Sequence, residues 1–305
     1  MIKKFNIYIS LILTFIPLFT SSSYADTGSR PMSMGGAFIA VSDDINATYW
    51  NPAGLTQIKN LEITYTGTIH NRDEFYYNDF ASIAMPLRIK EKNWGSLGFS
   101  FINSGRNQTP SSKTTDRWYW LSYGINLFDG LSLGTNLRGQ VYKTQSGSAI
   151  FKKDNTSFFA ADLALLWYYK KFSFGILWQR INEPTIKVYG QKNKYSSNLR
   201  LGTAFRPDNK TIISMDIDDT TGEVVNQNLR IGIERWFTDN FAIRIGGYDF
   251  NSNTNAAITF GIGLKTYPKN NIFNSLHLDY NLMYWTKQTS GYNDFTHQIG
   301  VTFKF

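Results

Sequence analysis

The chain has 305 residues, a formal net charge of +8, 16% aromatic residues, 18% charged residues and no cysteine. The missing cysteine excludes disulfide frameworks, thiolate zinc sites and cysteine nucleophiles. Three widely separated histidines (His70, His277, His297) leave little for a histidine metal centre or triad, and a mean hydropathy of −0.30 argues against a bundle of transmembrane helices.

The first 25 residues read as an export segment. Lys3 and Lys4 lie near the N-terminus, Ile7 to Phe19 is uncharged and mostly apolar, and Ser23-Tyr24-Ala25 puts small residues at the −3 and −1 positions of a cleavage site. That order predicts a signal peptide over 1–25, cut after Ala25. The apolar run falls short of the roughly 20 residues that span a bilayer. The remaining basic charge is scattered rather than clustered, so no nucleic acid is expected as a partner.

Residues 26–60 differ in composition from the rest of the mature chain. Ser42, Asp43 and Asp44 are placed to cap a short helical turn through Tyr49. Asn51-Pro52 should end it, because Pro disfavours the α conformation in the residue before it.

From residue 61 onward, apolar and polar residues alternate with period two. The pattern predicts fourteen strands, at 61–70, 77–89, 94–102, 115–127, 131–143, 156–169, 172–181, 198–206, 210–218, 227–236, 241–249, 256–266, 276–284 and 295–305. Connections after odd strands (71–76, 103–114, 144–155, 182–197, 219–226, 250–255, 285–294) are longer than most of those after even strands; 267–275 is the exception. Sorting of loops by parity is what a transmembrane barrel shows, with long loops outside and tight turns in the periplasm. Hydrocarbon requires every backbone group to be paired internally, so a β protein spans it only as a closed barrel. The fold class expected is therefore all-β, a 14-stranded antiparallel transmembrane β-barrel over 61–305.

Aromatics cluster near both strand ends. Tyr76, Tyr77, Trp118, Tyr119, Trp120, Trp178, Phe250, Tyr284 and Trp285 are expected at the outer rim. Trp94, Phe128, Trp167, Tyr168, Tyr169, Phe172, Trp236, Phe237 and Phe241 are expected at the inner one. Parity then assigns Asn136, Arg138, Gln140, Asp162, Arg200, Arg230, Glu234, Arg244, Lys265, Asp279 and Asn281 to the lumen. If the Thr238-Asp239-Asn240 turn is centred on Asp239, Glu234 opposes Arg244, Arg230 opposes Tyr248, and a Gly232–Gly246 pair lies between them. A lumenal Glu234–Arg244 ion pair is predicted from that register. The run from Asp216 through Asp218 and Asp219 has oxygens at alternate positions, but Gly222 comes one place late for a calcium loop. No metal, cofactor or catalytic constellation is expected, and the chain reads as non-enzymatic.

The last residues, Gln298-Ile299-Gly300-Val301-Thr302-Phe303-Lys304-Phe305, resemble the assembly signal of bacterial outer-membrane proteins, carried by Gly300, Phe303 and Phe305. The resemblance implies insertion by the barrel assembly machinery in the outer membrane of a Gram-negative-type bacterium, among outer-membrane lipid and lipopolysaccharide. The stretch from Arg30 to Leu55 contains Met34-Gly35-Gly36-Ala37, the acidic pair Asp43-Asp44 and Asn51-Pro52-Ala53-Gly54. It resembles the opening of the PorV/PorQ family, within the broader FadL-like group of outer-membrane barrels. Phe241 to Tyr248 and Leu278-Asp279-Tyr280 resemble late strands of the same family. The resemblance implies that 26–60 enters the lumen as a plug. It also implies a component of type IX-like secretion or surface attachment, with secretion subunits or cargo as partners. The alternative it implies is a FadL-like plugged channel for small hydrophobic molecules.

Overall fold

The computed structural model describes residues 26–70, 76–90, 92–109, 112–145, 153–188, 191–218, 227–253, 256–268, 273–286 and 294–305. The export segment 1–25 and Asp219 lie outside the described residues. Fourteen antiparallel strands close into one barrel. They are β1 (Glu62–His70), β2 (Tyr76–Ile89), β3 (Lys92–Thr109), β4 (Ser112–Phe128), β5 (Leu131–Gln145), β6 (Lys153–Tyr169) and β7 (Phe172–Gln179), then β10 (Asn198–Phe205), β11 (Thr211–Asp218), β12 (Asn228–Trp236), β13 (Phe241–Tyr248), β14 (Ala257–Thr266), β15 (Ser275–Trp285) and β16 (Asp294–Lys304). A separate hairpin, β8 (Thr185–Val188) and β9 (Gln191–Lys194), stands in the connection after β7.

The ends meet where β1 pairs with β16, with Glu62 opposite Lys304 and the Phe305 N–H donating to the Leu61 carbonyl at 2.9 Å. Closure pairs each barrel strand with a neighbour on both sides along part of its length, which is what a bilayer demands of the spanning belt. Side chains alternate across the wall. Along β7, Phe172, Phe174, Ile176 and Trp178 point outward, while Ser173, Gly175, Leu177 and Gln179 point inward. Ile231 and Ile233 on β12 are outward in the same way, with Glu234 next along the chain almost fully buried in the lumen.

The wall is uneven in height. β3 to β6 run for 15 to 18 residues, whereas β10, β11 and β13 have 8 each. The expected connection 103–114 is therefore largely strand: β3 reaches Thr109 and β4 resumes at Ser112. Its apolar alternation stops near Ile102 because Asn103, Arg117 and Lys113 take the outward positions above the apolar belt. No lipid contact enforces an apolar face there, so the periodic signal fades while the hydrogen-bonded ladder continues. The 182–197 connection likewise contains the unexpected hairpin.

Chain position misplaces part of the aromatic rims. Trp118, Trp120 and Trp285 are buried in the lumen, not in an outer girdle. Tyr168 and Trp236 also turn inward: the Tyr168 hydroxyl donates to the Val41 carbonyl at 3.1 Å, and Lys265 Nζ stands 3.6 Å from the Trp236 ring centre. Strand parity, rather than nearness to a strand end, decides which face a ring occupies. Tyr119, Trp178 and Phe250 near one end, and Trp94, Phe128, Trp167, Tyr169, Phe172 and Phe237 near the other, do face outward.

Replacing outward Ile233, near the middle of β12, by Lys should cost about 2–4 kcal/mol of barrel stability. Reversible urea unfolding in phospholipid vesicles would measure it, with a loss under about 0.5 kcal/mol contradicting a lipid-facing assignment.

Candidate functional site

Residues 26–58 are buried or partly buried against the inner face of the wall, whereas Lys59 and Asn60 are exposed. Two short helices, α1 (Ser29–Ser33) and α2 (Ala47–Trp50), and a 3-10 turn over Pro52–Gln57 give this segment its shape. It contacts wall backbone around most of the circumference. A side chain at Gly134 would place its Cβ 2.1 Å from the Ala53 nitrogen, and one at Gly175 would stand 2.3 Å from the Ile39 carbonyl oxygen. Gly232 and Gly246 receive Met34 and Gly35 in the same way. Met34 is fully buried there. Gly35 has φ +64°, and its N–H donates to Thr259 Oγ1 at 3.0 Å. Gly36 has φ +71° and turns the chain beneath Trp50.

Burying a polar segment in a narrow lumen requires its charges to be matched. Arg30 on α1 is the central match. Its Nε and Nη2 donate to the two carboxylate oxygens of Glu234, each at 2.8 Å, and its Nη1 donates to Asp43 at 2.6 Å and Asp44 at 2.7 Å. A planar fork suits such bidentate pairing. Glu234 is directly opposite Arg244 in the β12–β13 ladder, and their ion pair is 2.6 Å long. Arg244 continues to Asp279 at 2.7 Å. The acidic pair of the inner segment is thereby tied to three wall strands.

A second node holds the start of the segment. Asp26 accepts hydrogen bonds from the hydroxyls of Tyr49 at 2.7 Å and Tyr248 at 2.8 Å. It also pairs with Arg230 at 2.9 Å and Arg200 at 3.5 Å. Burial alone would raise the Asp26 carboxyl, but the Arg230 and Arg200 charges reverse this and hold it down at about 2. Asp44 follows the same balance, with burial opposed and outweighed by Arg30 and Lys304. Arg230 also reaches Asp218 and Asp249, and its guanidinium lies 4.4 Å from the Tyr248 ring centre.

The remaining residues of the motif act on backbone. Asn51 donates from Nδ2 to the carbonyls of Ile39 at 2.8 Å and Leu165 at 3.0 Å, so one amide joins the segment to the wall. Its Oδ1 accepts the Ala53 N–H at 3.1 Å. Asn51 is extended, with φ −165°, as a residue before Pro should be. Pro52 and Ala53 pack on Gly124 and Gly134, and Gly54 passes Ser42 so closely that a Cβ would stand 2.0 Å from the Ser42 carbonyl oxygen. The helical turn is shorter than the acidic run suggests. Asn46 occupies the position before α2, and Asp44 accepts the Asn46 backbone N–H at 2.8 Å. Gly300 of the closing strand faces Ser29, while Phe303 contacts Phe273 edge-on and Phe305 is partly exposed.

Arg30 and Asp26 are the functional residues that sequence reasoning missed. An isolated basic residue 13 positions before an acidic one carries no local signal, because their contact is made by the chain folding back inside the barrel. The alternating oxygens around Asp216 prompt a comparison with calcium loops, but its carboxylate has another task. It accepts the N–H groups of Phe38 at 2.7 Å and Ile39 at 2.8 Å, and thus anchors backbone. Asp218 pairs with Arg200 at 2.8 Å.

Two spaces flank the segment. One, of about 400 Å³, opens beside the tight turns and is lined by Thr56, Gln57, Asn126, Ser132 and Tyr168, among others. The other, of about 20 Å³, lies among aromatic and arginine side chains under the end of β7.

A family model described as type IX secretion system membrane protein PorP/SprF matches residues 45–303. The PorV/PorQ family expected from Arg30–Leu55 is not the one whose model matches; the matching model is PorP/SprF, a type IX secretion family. No curated relative matches the chain. Among solved structures, the CymD monoaromatic hydrocarbon channel is similar at a TM-score of 0.67 and 11% identity, covering 93% of this chain and 99% of that one. The Pseudomonas putida toluene transporter TodX is similar at 0.66 and 11%, with 93% and 99% covered. The Ralstonia pickettii toluene transporter TbuX is similar at 0.65 and 12%, with 92% and 99% covered. At such identities the likeness concerns the fold.

Replacing Arg30 by Met should destabilise the folded protein by about 3–5 kcal/mol, since it strands Glu234, Asp43 and Asp44 without their shared cation. Urea unfolding checks the loss, and an unchanged midpoint would remove Arg30 from its central place. Replacing Gly134 by Val should leave the barrel closed, read as its gel shift on heating, yet expose 26–60 to protease. Protection equal to wild type would contradict the close approach of Ala53.

Proposed function

Because the chain belongs to the PorP/SprF family of type IX secretion system membrane proteins, we propose that it works in secretion as a non-enzymatic outer-membrane docking component. The observation that carries this reading is the family match across 45–303, which includes part of the inner segment and nearly the whole barrel. The lumen supports it. A barrel filled by residues 26–58, with that segment held by charge pairs at two nodes, offers its mouths and outer face to partners rather than an open bore. In this reading 26–60 is a structural plug, and secretion subunits or cargo are the partners.

The finer placement beside PorV/PorQ draws on the motif from Arg30 to Leu55, whose first part, 30–44, precedes the matched region. Export with loss of residues 1–25 and insertion through Gly300, Phe303 and Phe305 belong to the same proposal. So do outer-membrane lipid and lipopolysaccharide around the apolar wall. The channel reading draws on shared architecture alone, and the packed lumen weighs against it.

Deleting the gene should remove proteins from the cell surface or the culture medium, and affinity capture of the tagged barrel from crosslinked cells should recover type IX components. A surface profile identical to wild type would refute the secretion role. Liposomes carrying the purified intact barrel should take up toluene no faster than empty liposomes; rapid uptake would favour the channel instead.

A further inference from the structure

The wall is tallest over β3 to β6, and the outward face of that sector changes chemistry along its strands. On β4, Leu127, Leu121 and Tyr119 are outward and exposed. From Leu127 to Tyr119 the strand covers roughly 27 Å at about 3.4 Å per residue, close to the apolar belt of about 25 Å that an outer-membrane barrel presents. Tyr119 meets the Phe101 ring at 5.1 Å across the β3–β4 ladder, an aromatic pair at the edge of that belt. The next outward positions on β4 are Arg117, Thr115 and Lys113.

β5 follows the same course. Leu137 is outward and exposed, and Lys143 stands opposite Thr115, diagonal to both Arg117 and Lys113. Diagonal neighbours across a ladder lie about 7–8 Å apart, so three cations crowd one patch. Arg117 donates from Nε to Asn103 Oδ1 at 3.3 Å. Among the described residues no carboxylate pairs with Lys113, Arg117 or Lys143. The outward carboxylate of β2, Asp79, lies beyond Asn103, two strands or roughly 10 Å from Arg117, and accepts the Tyr65 hydroxyl at 2.8 Å.

β7 and β10 to β16 differ. Among their described side chains no Lys or Arg faces outward at this end, where Trp178, Ile258 and Phe295 stand instead. The cations belong to one sector, at the end carrying the long connections, directly above its apolar belt. Like charges side by side on a ladder repel, and an anion among them relieves that cost. A membrane lipid offers its anion at this height. Its acyl chains lie along the belt, and its phosphate is confined just above the aromatic pair before it meets the cations.

We infer that the outward face of β4 and β5 above the apolar belt is a binding site for lipid A, the phosphorylated glycolipid anchor of lipopolysaccharide. Lys113, Arg117 and Lys143 surround a phosphate, and Tyr119, Phe101 and Leu121 lie against the acyl chains. Asn103, Thr115 and Gln145 on the same face are placed to bond sugar hydroxyls. The site rests on the outer-membrane placement proposed above, and assigns one lipid to one sector of the wall.

Native mass spectrometry of the purified full chain in detergent micelles, titrated with lipid A, tests it. Lipid A should bind saturably. Lipid A stripped of its phosphates should bind weaker on the order of a hundredfold, the effect of three cations near one anionic headgroup. Phosphatidylglycerol, which has a phosphate but no sugar, should also bind weaker. The combined variant Lys113→Gln, Arg117→Gln, Lys143→Gln should hold lipid A no better than the stripped lipid is held, while keeping its gel shift on heating. The variant Lys90→Gln, Lys92→Gln, Lys170→Gln removes the same charge from the opposite rim and should bind lipid A as wild type does. Equal losses in the two variants would mean diffuse attraction to a basic protein and would overturn the site. So would phosphatidylglycerol binding as tightly as lipid A. Lipid A binding no tighter than its stripped form would overturn it too, leaving this polar sector to a protein partner. Insertion into phosphatidylethanolamine vesicles, read by the gel shift, checks the membrane placement separately. A chain that inserts but ignores lipid A refutes this site alone; a chain that does not insert refutes both.

Discussion

Cancellation of buried charge governs the interior of this barrel. The inner segment brings Asp26, Arg30, Asp43 and Asp44 into a lumen walled by β-strands, where an unmatched ion is costly. Each meets a partner from the wall or from the segment itself. Arg30 joins Glu234 to the acidic pair, and Asp26 sits between Arg230 and Arg200. These pairs fix where the segment lies, because a guanidinium fork and a carboxylate match in only a few orientations. The wall's own ladder fixes where the partners stand, so strand register and the seat of the inner segment are one problem.

Strand register was legible because it is local. A tight turn centred on Asp239 places Glu234 opposite Arg244 without knowledge of anything else, and the alternation of Ile231, Ile233 and Ile245 with lumenal residues sets the faces. The strand number was legible for the same reason. Alternation failed where its cause fails. Above the apolar belt, Lys113, Arg117 and Asn103 occupy outward positions, and strands β3 and β4 continue without an apolar stripe to mark them. Trp118, Trp120 and Trp285 were misplaced because composition near a strand end says nothing about which face a residue takes.

The interior was much less legible. Nothing near Arg30 in sequence announces Glu234, 204 residues away. The lumenal glycines had a similar fate. Gly134 and Gly175 look like ordinary gaps in their strands, and Gly300 looks like part of an assembly signal. Their reason is supplied by Ala53, Ile39 and Ser29 approaching from inside. A glycine in a strand interior often marks the close approach of another backbone, but only the structure identifies which one. The Asn51-Pro52-Ala53-Gly54 motif becomes intelligible in the same terms. Asn51 satisfies the carbonyls of Ile39 and Leu165 together, a task suited to an amide with two N–H donors.

The shared fold with hydrocarbon channels sharpens the question of what this lumen is for. Opening a path would require the segment to leave sites where glycine-lined backbone contacts and charge-assisted bonds hold it together. Each such bond contributes on the order of 1.5–3 kcal/mol, and four of them converge on Arg30 alone. A ligand shifts a conformational equilibrium only by its differential affinity for the two states. Driving a segment from almost always seated to almost always released takes about 5.5 kcal/mol of such preference. A small apolar solute passing through supplies little of this, because it has no charge to exchange for Glu234 or Asp26. A protein partner with its own cations and carboxylates can supply it. The charge lattice inside the barrel therefore weighs against passive permeation of small apolar solutes.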